Sequence, residues 1–475
     1  MRVWRITLVA GLFAAVSLDG AAQTLEEALV AAYLTNPTLA AERAQVRQVD
    51  EGVSQALSGW RPSVNVFGDV GLQRRDTRID NGVPFGIPGQ VGGGGSRSQR
   101  LDTVPRQVGV EVAQPLFRGG RTMAATRLSE NAVRAARARL TATEQDVLGE
   151  AVRAYVDVLA AQAVLEFEIQ NERRLEQFRR ATQDRFDVGE VTRTDVVQAE
   201  ARLARAQADR VRGEGDLEAV RAAYRNVIGE MPGVLQLPPL PSDLPESLGT
   251  AIDQAEQMNP RVVAAEFTER ALLDRVDEVR GELLPELSLR GEARRTQDVA
   301  GDSTRVNELR ATVNLTVPLY QSGVEYSRLR QAKQEVLEQR RVLEQVRRNA
   351  AQEVATTWSD FAAAQARVQA FRTEVSANEI AVEGVIQEQA VGTRTVLDVL
   401  DTQQDLLESQ RNLVFARRDE LRFAYEIRRA VGTLTVAMLD LPVEPYNPER
   451  HYQDVRGRWF GGGSMDEPTY GPVPR

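Results

Sequence analysis

Two aspartates, Asp398 and Asp401, are the residues of this chain that are best placed to act together. They stand three positions apart, so one face of a helix would carry both carboxylates. A helix N-terminus offsets part of their mutual repulsion. One such pair is unremarkable, but copies around a symmetry axis would form a ring of carboxylates, which gives a pore its preference for cations. Such a ring could also bind a divalent cation, and that cation would block the pore.

These aspartates follow one of two similar turns. The turns match at Gly189, Thr192 and Asp195 in the first and at Gly392, Thr395 and Asp398 in the second. The glycine suits the left-handed position that ends a helix. The threonine caps the next helix, and the aspartate three residues later closes a capping box. Local structure therefore explains Asp195 and Asp398 without a further function. Asp401 differs, because its counterpart in the first turn is Gln198, so the fold itself requires no acid there.

The turns belong to a repeat that covers most of the chain. Residues from Thr24 align without a gap onto residues from Ser247, and a second block from Pro115 aligns onto Pro318. The repeat predicts two similar halves. Its parts are a signal peptide at 1–22, a first repeat at 23–230, a linker at 231–246, a second repeat at 247–434, and a partly disordered extension at 435–475.

Each half has the order helix, strand, loop, strand, very long helix, turn, helix. Strands are predicted at about 63–75 and 106–117, and again at about 286–296 and 308–320. Long helices are predicted at 121–187 and 323–391, followed by helices at 192–230 and 395–432. The segment from Arg75 to Thr103 is rich in turn signals.

The predicted strands alternate apolar and polar residues over about 9–11 positions, which is the pattern of transmembrane β-strands. A soluble strand that is buried on one face gives the same pattern. Four strands cannot close a membrane barrel, and an open edge is not tolerated in lipid. If these strands span a membrane, copies of the chain must share the barrel, with eight strands from two copies or twelve from three.

The long helices lack proline and would each be roughly 100 Å long. Their apolar positions are small and dispersed, unlike the leucine-rich seam of a two-stranded coiled coil. This pattern favours a wall of helices in which each helix has a neighbour on both sides. An ordinary long coiled coil remains an alternative.

Composition excludes several classes of function. The net charge of -9 argues against nucleic acid as a partner. The chain has no cysteine and one histidine, His451, so thiolate catalysis and the usual metal sites are not expected. The glycine run Gly92–Gly95 lacks the Lys-Ser/Thr of a phosphate-binding loop. The sequence therefore predicts no enzyme activity, no cofactor and no metal.

The duplicated order of elements, the two turns and the strand exits at Gln114–Phe117 and Val317–Tyr320 resemble the TolC-type outer-membrane channel proteins. The resemblance implies an α+β membrane protein, a homotrimer in which each protomer gives four strands to a 12-stranded transmembrane barrel. A long periplasmic α-helical barrel would extend from the transmembrane barrel. The channel would be the exit duct of a tripartite efflux pump or a type I secretion system in the cell outer membrane. Its implied partners are outer-membrane lipid, a periplasmic adaptor and an inner-membrane ABC or RND transporter.

The resemblance also implies roles for residues at the two turns. Asp398 and Asp401 would form the selectivity ring at the periplasmic entrance. Arg394 would bond toward Thr194 and Asp195 of neighbouring helices and hold the entrance shut. Gln389 stands where a family member has a tyrosine latch, so one closing bond is in doubt. The rival hypothesis is a periplasmic helical adaptor without a membrane barrel, although such adaptors usually present one helical hairpin rather than two.

Overall fold

The fold was described from a computed structural model of the chain. The structure describes residues 23–80, 96–298 and 304–463. The predicted signal peptide at 1–22, the glycine run at 92–95 and the last residues, 464–475, lie outside these ranges.

Helices dominate the described residues, and the longest come in pairs of equal length. Helices α3 and α7 have 67 residues each, and α4 and α8 have 36 each. The bounds are α1 (Leu25–Thr35), α2 (Pro37–Leu57), α3 (Arg121–Asp187), α4 (Arg193–Ile228), α5 (Leu248–Met258), α6 (Pro260–Gly281), α7 (Val324–Ala390), α8 (Val396–Val431) and α9 (Pro448–Arg456). None of the helices in the described ranges is long and apolar enough to cross a membrane.

An Asn-Pro pair breaks the first helical segment of each half. Asn36 caps α2 and Asn259 caps α6; the side-chain oxygen of Asn36 accepts from two of the backbone N–H groups that follow, and that of Asn259 accepts from one. The Nδ2 of Asn36 donates to the Val227 carbonyl at 3.1 Å, and the Nδ2 of Asn259 donates to the Ala430 carbonyl at 2.9 Å. Each asparagine thus joins the start of one helix to the last turn of another.

Four strands form one antiparallel sheet. They are β1 (Ser63–Val70), β4 (Arg106–Arg118), β5 (Glu286–Gln297) and β6 (Arg305–Thr316), in the order β1-β4-β5-β6. The register pairs Ser63 with Ala113, Arg118 with Glu286, and Glu286 with Thr316. The strand ends that connect to the helices therefore all lie at the same end of the sheet. Strands β1 and β6 are the two edges.

The sheet has one apolar face and one polar face. Across the strands, Val66 lies opposite Val110, which lies opposite Ala293, which in turn lies opposite Leu309. Other exposed apolar residues share this face: Val64, Val108, Val112, Leu289, Val313 and Leu315. The opposite face carries charged pairs, such as Arg290 with Glu111 at 3.1 Å and Arg294 with Glu308. Among the residues that the structure describes in one chain, nothing covers the apolar face.

The segment Arg75–Thr103, interpreted from the sequence as turn-rich, contains two more strands. These are β2 (Gln73–Asp80) and β3 (Ser96–Thr103), which pair with each other in a separate two-stranded sheet. The hairpin is polar and carries the ion pairs Arg74–Asp102 at 2.7 Å and Arg100–Asp76 at 2.9 Å. It lacks the apolar alternation of the predicted strands, so the sequence pattern indicated turns here and not a hairpin.

The main hydrophobic core lies where α1, α2, α3, α4 and the C-terminal segment meet. Its fully buried members include Leu29, Leu39, Tyr155, Tyr224 and Leu434. The Tyr155 hydroxyl lies 2.7 Å from the Gln23 carbonyl oxygen and 2.6 Å from that of Gln236, and it accepts from the Gln236 N–H at 3.1 Å. Burial raises the pKa of Tyr155 to about 12. This hydroxyl therefore joins the chain start to the segment after α4.

Replacing Tyr155 with phenylalanine should lower stability without changing the packed volume much. The change removes the hydrogen bonds that the hydroxyl makes with part-buried backbone groups of Gln23 and Gln236, although the Gln236 N–H still donates to the Gln23 carbonyl at 3.1 Å. We therefore expect a loss of about 0.5–1.5 kcal/mol. Thermal melting followed by circular dichroism would measure the loss. The control is Tyr326→Phe, because Tyr326 is exposed. Equal melting temperatures for the two variants would contradict a structural role for the Tyr155 hydroxyl.

The described part of the C-terminal extension, residues 435–463, packs against the rest of the fold. Leu441 and Val443 are buried in the main core. Asn447 then caps α9, and the Nδ1 of His451 in α9 lies 3.0 Å from the buried Asp50 of α2. The prolines that suggested irregular chain include Pro448, which is the first residue of α9 and needs no N–H partner there. Residues 435–463 are therefore part of the fold, residues 464–475 lie outside the described ranges, and partial disorder of the extension stays a prediction.

Candidate functional site

The start of α8 is fixed by a small apolar cluster. Val396 and Leu400 of α8 pack with Leu175 of α3 and Ala206 of α4, and all four are buried. Because one face of the first turns of α8 is buried in this cluster, the opposite face points outward. Asp401 is exposed there, and Asp398 is half-buried. The cluster thus sets the position of both carboxylates relative to α3 and α4.

A left-handed glycine ends each long helix. Gly189 has a φ of 80° and Gly392 a φ of 82°. A Cβ on either glycine would meet no atom within 4 Å. Backbone conformation, and not lack of space, is therefore the reason for glycine in both turns. Each turn reverses the chain and brings the next helix back along the previous one.

Capping boxes begin the two helices that follow the turns. Asp195 accepts from the Thr192 N–H at 2.9 Å and from its hydroxyl at 2.7 Å. Asp398 accepts from the Thr395 N–H and hydroxyl, both at 2.8 Å. These bonds, from the backbone first and then from the hydroxyl, lower the pKa of Asp398, and nearby Arg394 adds to the effect. Asp398 is therefore ionised throughout the neutral and mildly acidic range.

Asp401 has a partner that the sequence did not reveal. The Nη2 of Arg202 in α4 forms a hydrogen-bonded ion pair with Asp401 in α8. The Asp401 side chain is still 53 % exposed. The pair joins two helices from different halves of the chain, so no local spacing could have predicted it. The guanidinium group of Arg202 therefore offsets part of the negative charge of Asp401.

Within a single chain, Arg394 pairs with Glu388. The Nε of Arg394 donates to the Glu388 carboxylate at 3.0 Å, and this bond raises the pKa of Arg394. Thr194 is exposed at the start of α4, and Gln389 is half-buried at the end of α7, where its carbonyl accepts from the Gly392 N–H at 3.1 Å. The predicted bonds from Arg394 toward neighbouring helices of other copies stay predictions.

The described ranges contain no group of three or more histidine, cysteine, aspartate or glutamate side chains that could hold a metal ion. Blockage by a divalent cation at Asp398 and Asp401 would need carboxylates from several copies, and it also stays a prediction.

Comparison with known proteins identifies the family. The sequence model described as "Outer membrane efflux protein" matches residues 28–230 and 251–433. The chain belongs to this family. The two matched stretches include both turns and all four strands of the main sheet, but they leave out α9.

Similar proteins agree with this membership. The chain is 33% identical over 440 residues to outer membrane efflux protein BepC of Brucella suis, which covers 92% of each protein. It is 29% identical to outer membrane protein TolC of Vibrio cholerae over 72% of this chain and 81% of the other. Its fold is similar to that of the outer-membrane channel OprN, with a TM-score of 0.72 and 22% identity over 86% and 89% of the two chains.

The resemblance to TolC-type channels is therefore confirmed. This member of the family is an outer-membrane channel for efflux or secretion. The family consists of transport proteins and not enzymes. The rival hypothesis of a periplasmic adaptor finds no support among the relatives.

Proposed function

We propose that three copies of the chain form one exit duct, with a 12-stranded transmembrane barrel and a periplasmic helical tunnel. Each copy supplies four strands and the four helices α3, α4, α7 and α8, from two structural repeats at 23–230 and 247–434. The duct is a passive conduit without catalysis. It works with a periplasmic adaptor and an inner-membrane ABC or RND transporter, which provides the energy.

The observation that carries this proposal is the four-stranded sheet with one apolar face and two edges. In lipid, the backbone groups of edge strands must find partners. Strands alternate in direction across the order β1-β4-β5-β6, so β1 and β6 run in opposite directions. The β6 edge of one copy can therefore pair antiparallel with the β1 edge of the next, and the ring closes without a change of pattern.

The polar face favours three copies over two. An eight-stranded barrel is just wide enough for side chains to fill its interior. The face opposite the apolar one carries long side chains, including Glu111, Arg290, Arg294 and Glu308. Two copies would pack these groups into a closed lumen, whereas twelve strands leave an aqueous passage between them.

At the other end of the duct, the turns form the periplasmic entrance. Asp398 and Asp401 from each copy line the constriction and select cations. Arg394 bonds toward Thr194 and Asp195 of neighbouring helices and keeps the entrance closed at rest. Gln389 stands beside this contact without the latch that a tyrosine would give, so the closed state depends mainly on Arg394.

Cross-linking of edge strands tests the assembly directly, because the chain has no cysteine of its own. Asn65→Cys in β1 is combined in turn with Thr312→Cys or Asn314→Cys in β6; positions 65 and 314 are exposed and position 312 is half-buried. After oxidation in outer membranes, we expect at least one combination to give a covalent ladder that ends at three chains.

Two controls accompany the cross-links. Each cysteine alone should give no ladder, because β1 then meets no reactive partner. The pair Asn65→Cys with Glu218→Cys, which places the second cysteine on α4, should also stay monomeric. A ladder that ends at two chains, or no ladder for any β1–β6 combination, would overturn the shared barrel.

A further inference from the structure

The C-terminal segment lies beside the start of β1. Helix α9 is held on α2 by His451 and Asp50 at 3.0 Å, and Arg456 at its end pairs with Glu130 of α3 at 3.0 Å. These contacts fix the chain that follows, residues 458–463, next to the short 3-10 turn Ser58–Trp60 that leads into β1. The tail is therefore part of the surface at the helical end of the sheet.

Arg61 joins the tail to the strand. It lies between the 3-10 turn and β1, and its Nη1 donates to the Arg458 carbonyl at 2.8 Å. Its guanidinium group lies over the Trp459 ring, 5.1 Å from the centroid. We call the surface formed by Trp60, Arg61, Arg458, Trp459 and Phe460 the C-terminal patch.

Three large aromatic side chains of the C-terminal patch face outward. Phe460 is 86% exposed, Trp459 is 57% exposed and Trp60 is 40% exposed. Adjacent exposed aromatic rings on a protein surface mark a site of interaction with another protein or a membrane. Tryptophan in particular is enriched where protein meets the headgroup region of a bilayer.

The patch also carries cationic groups. Among the described residues, Arg61 and Arg458 form no ion pair with a carboxylate, although Glu51 and Asp454 line the adjoining cleft. A guanidinium group binds phosphate oxygens through two parallel hydrogen bonds. Exposed aromatic rings beside such arginines suit a ligand with an apolar part and a phosphate.

The position of the patch identifies that ligand. At the same end of the sheet, Phe117 near the end of β4 and Tyr320 just after β6 are also exposed. Aromatic girdles flank the apolar band of membrane barrels at both interfaces. The C-terminal patch includes Trp60 and Arg61, which directly precede β1, so it stands at the helical end of the sheet, where the proposed barrel would meet the periplasm.

We propose that the C-terminal patch binds phospholipids of the periplasmic leaflet of the outer membrane. Trp459 and Phe460 insert among the acyl chains near the headgroups, and Arg61 and Arg458 bind lipid phosphate. Residues 435–463 thereby anchor the helical part against the membrane surface outside the barrel. The inference rests on the proposed function, because it requires the sheet to span the membrane with its helical end toward the periplasm.

The test uses single cysteines that carry an environment-sensitive fluorophore in the full mature chain. Phe460→Cys reports on the patch, Val66→Cys on the apolar face of the sheet, and Glu218→Cys on α4, far from the membrane. The labelled proteins are reconstituted in vesicles of phosphatidylethanolamine and phosphatidylglycerol. Lipids with a nitroxide quencher on the acyl chain near the headgroup are then added. We expect strong quenching at positions 66 and 460 and little at position 218.

The pattern separates failure of this inference from failure of the proposed barrel. Quenching at position 66 but not at 460 would overturn lipid binding by the patch while the barrel stands. No quenching at 66 would overturn both. If position 460 is protected from quencher and from water-soluble iodide alike, a neighbouring copy covers the patch, and the inference is also overturned.

Arg458→Ala tests the phosphate contact of the Arg458 side chain. The hydrogen bond from Arg61 is kept in this variant, because it goes to the backbone carbonyl of Arg458 and not to its side chain. Quenching at position 460 by nitroxide phosphatidylglycerol is compared with quenching by nitroxide phosphatidylcholine. We expect the preference for the anionic lipid to fall about fivefold in the variant, as for the loss of one arginine at a charged membrane surface. An unchanged preference would remove Arg458 from the site.

Discussion

Replacing Asp398 and Asp401 together with asparagine should abolish the cation preference of the channel in a planar bilayer. In a trimer the change removes six carboxylates from the narrowest part of the duct, so the permeability ratio of K⁺ to Cl⁻ should fall to near unity. The conductance itself should persist, because the substitutions do not narrow the entrance and the loss of the Arg202–Asp401 ion pair favours opening. The ratio is read from the reversal potential in a salt gradient.

Asparagine is the appropriate replacement because Asp398 has two roles. Its carboxylate accepts from the Thr395 N–H and hydroxyl, both at 2.8 Å, and so begins α8. Alanine would remove the charge and the cap together, whereas asparagine keeps an acceptor oxygen. Glu218→Gln on α4 removes the same charge elsewhere and should leave the ratio unchanged. A double variant that keeps its selectivity would show that the constriction lies away from these aspartates.

The pH dependence follows from the lowered pKa of Asp398. Its folded pKa lies below the ordinary aspartate value of 3.8, so the charge and its capping contribution are present above that value. Both are lost only as pH falls through the folded pKa. The single variant Asp401→Asn should therefore keep a cation preference at pH 5.

Removing the cation that faces Asp401 should have the opposite effect. Arg202→Ala frees the Asp401 carboxylate and leaves one more uncompensated negative charge per copy at the entrance. A unit charge at about 4 Å in water is worth about 1 kcal/mol, so the permeability ratio should rise a few-fold. The variant also loses an ion pair between α4 and α8, so single-channel records should show more frequent openings.

Arg205→Ala is the matched control for Arg202→Ala. Arg205 lies on the same helix, one turn later, and its ion pair is with Asp209 of α4, at 3.9 Å. The control removes the same charge without touching Asp401. Equal K⁺ to Cl⁻ permeability ratios in the two variants would mean that Arg202 acts only through its contribution to the overall charge, and not through its pairing with Asp401. A fall in selectivity with Arg202→Ala would contradict the pairing itself.

Some features of the site could be predicted because they are local. A glycine that must adopt a positive φ, a threonine cap and an aspartate three residues later are all encoded within one turn. The structure accordingly shows Gly392, Thr395 and Asp398 in the expected geometry. Likewise, apolar and polar residues alternate around Val66 and Val110 because successive side chains of a strand point to opposite faces. This pattern can be recognised without knowing which strand pairs with which.

Other features depend on contacts between distant segments, which no spacing reveals. Arg202 and Asp401 are 199 positions apart in the sequence and meet only because a buried cluster at Leu400 sets α8 against α3 and α4. The hairpin of β2 and β3 depends on cross-strand charge pairs and not on apolar alternation. Helix α9 was missed because Pro448 at its start and the nearby Pro442 and Pro445 are typical of irregular chain.

The equal lengths of the paired long helices have a consequence for how this chain can evolve. With 67 residues in α3 and in α7, and 36 in α4 and in α8, the two helical hairpins have matching lengths. An insertion in one repeat alone would raise one tip above the other. We expect insertions and deletions in these helices to be inherited in matched pairs, so that selection acts on the difference between the two lengths.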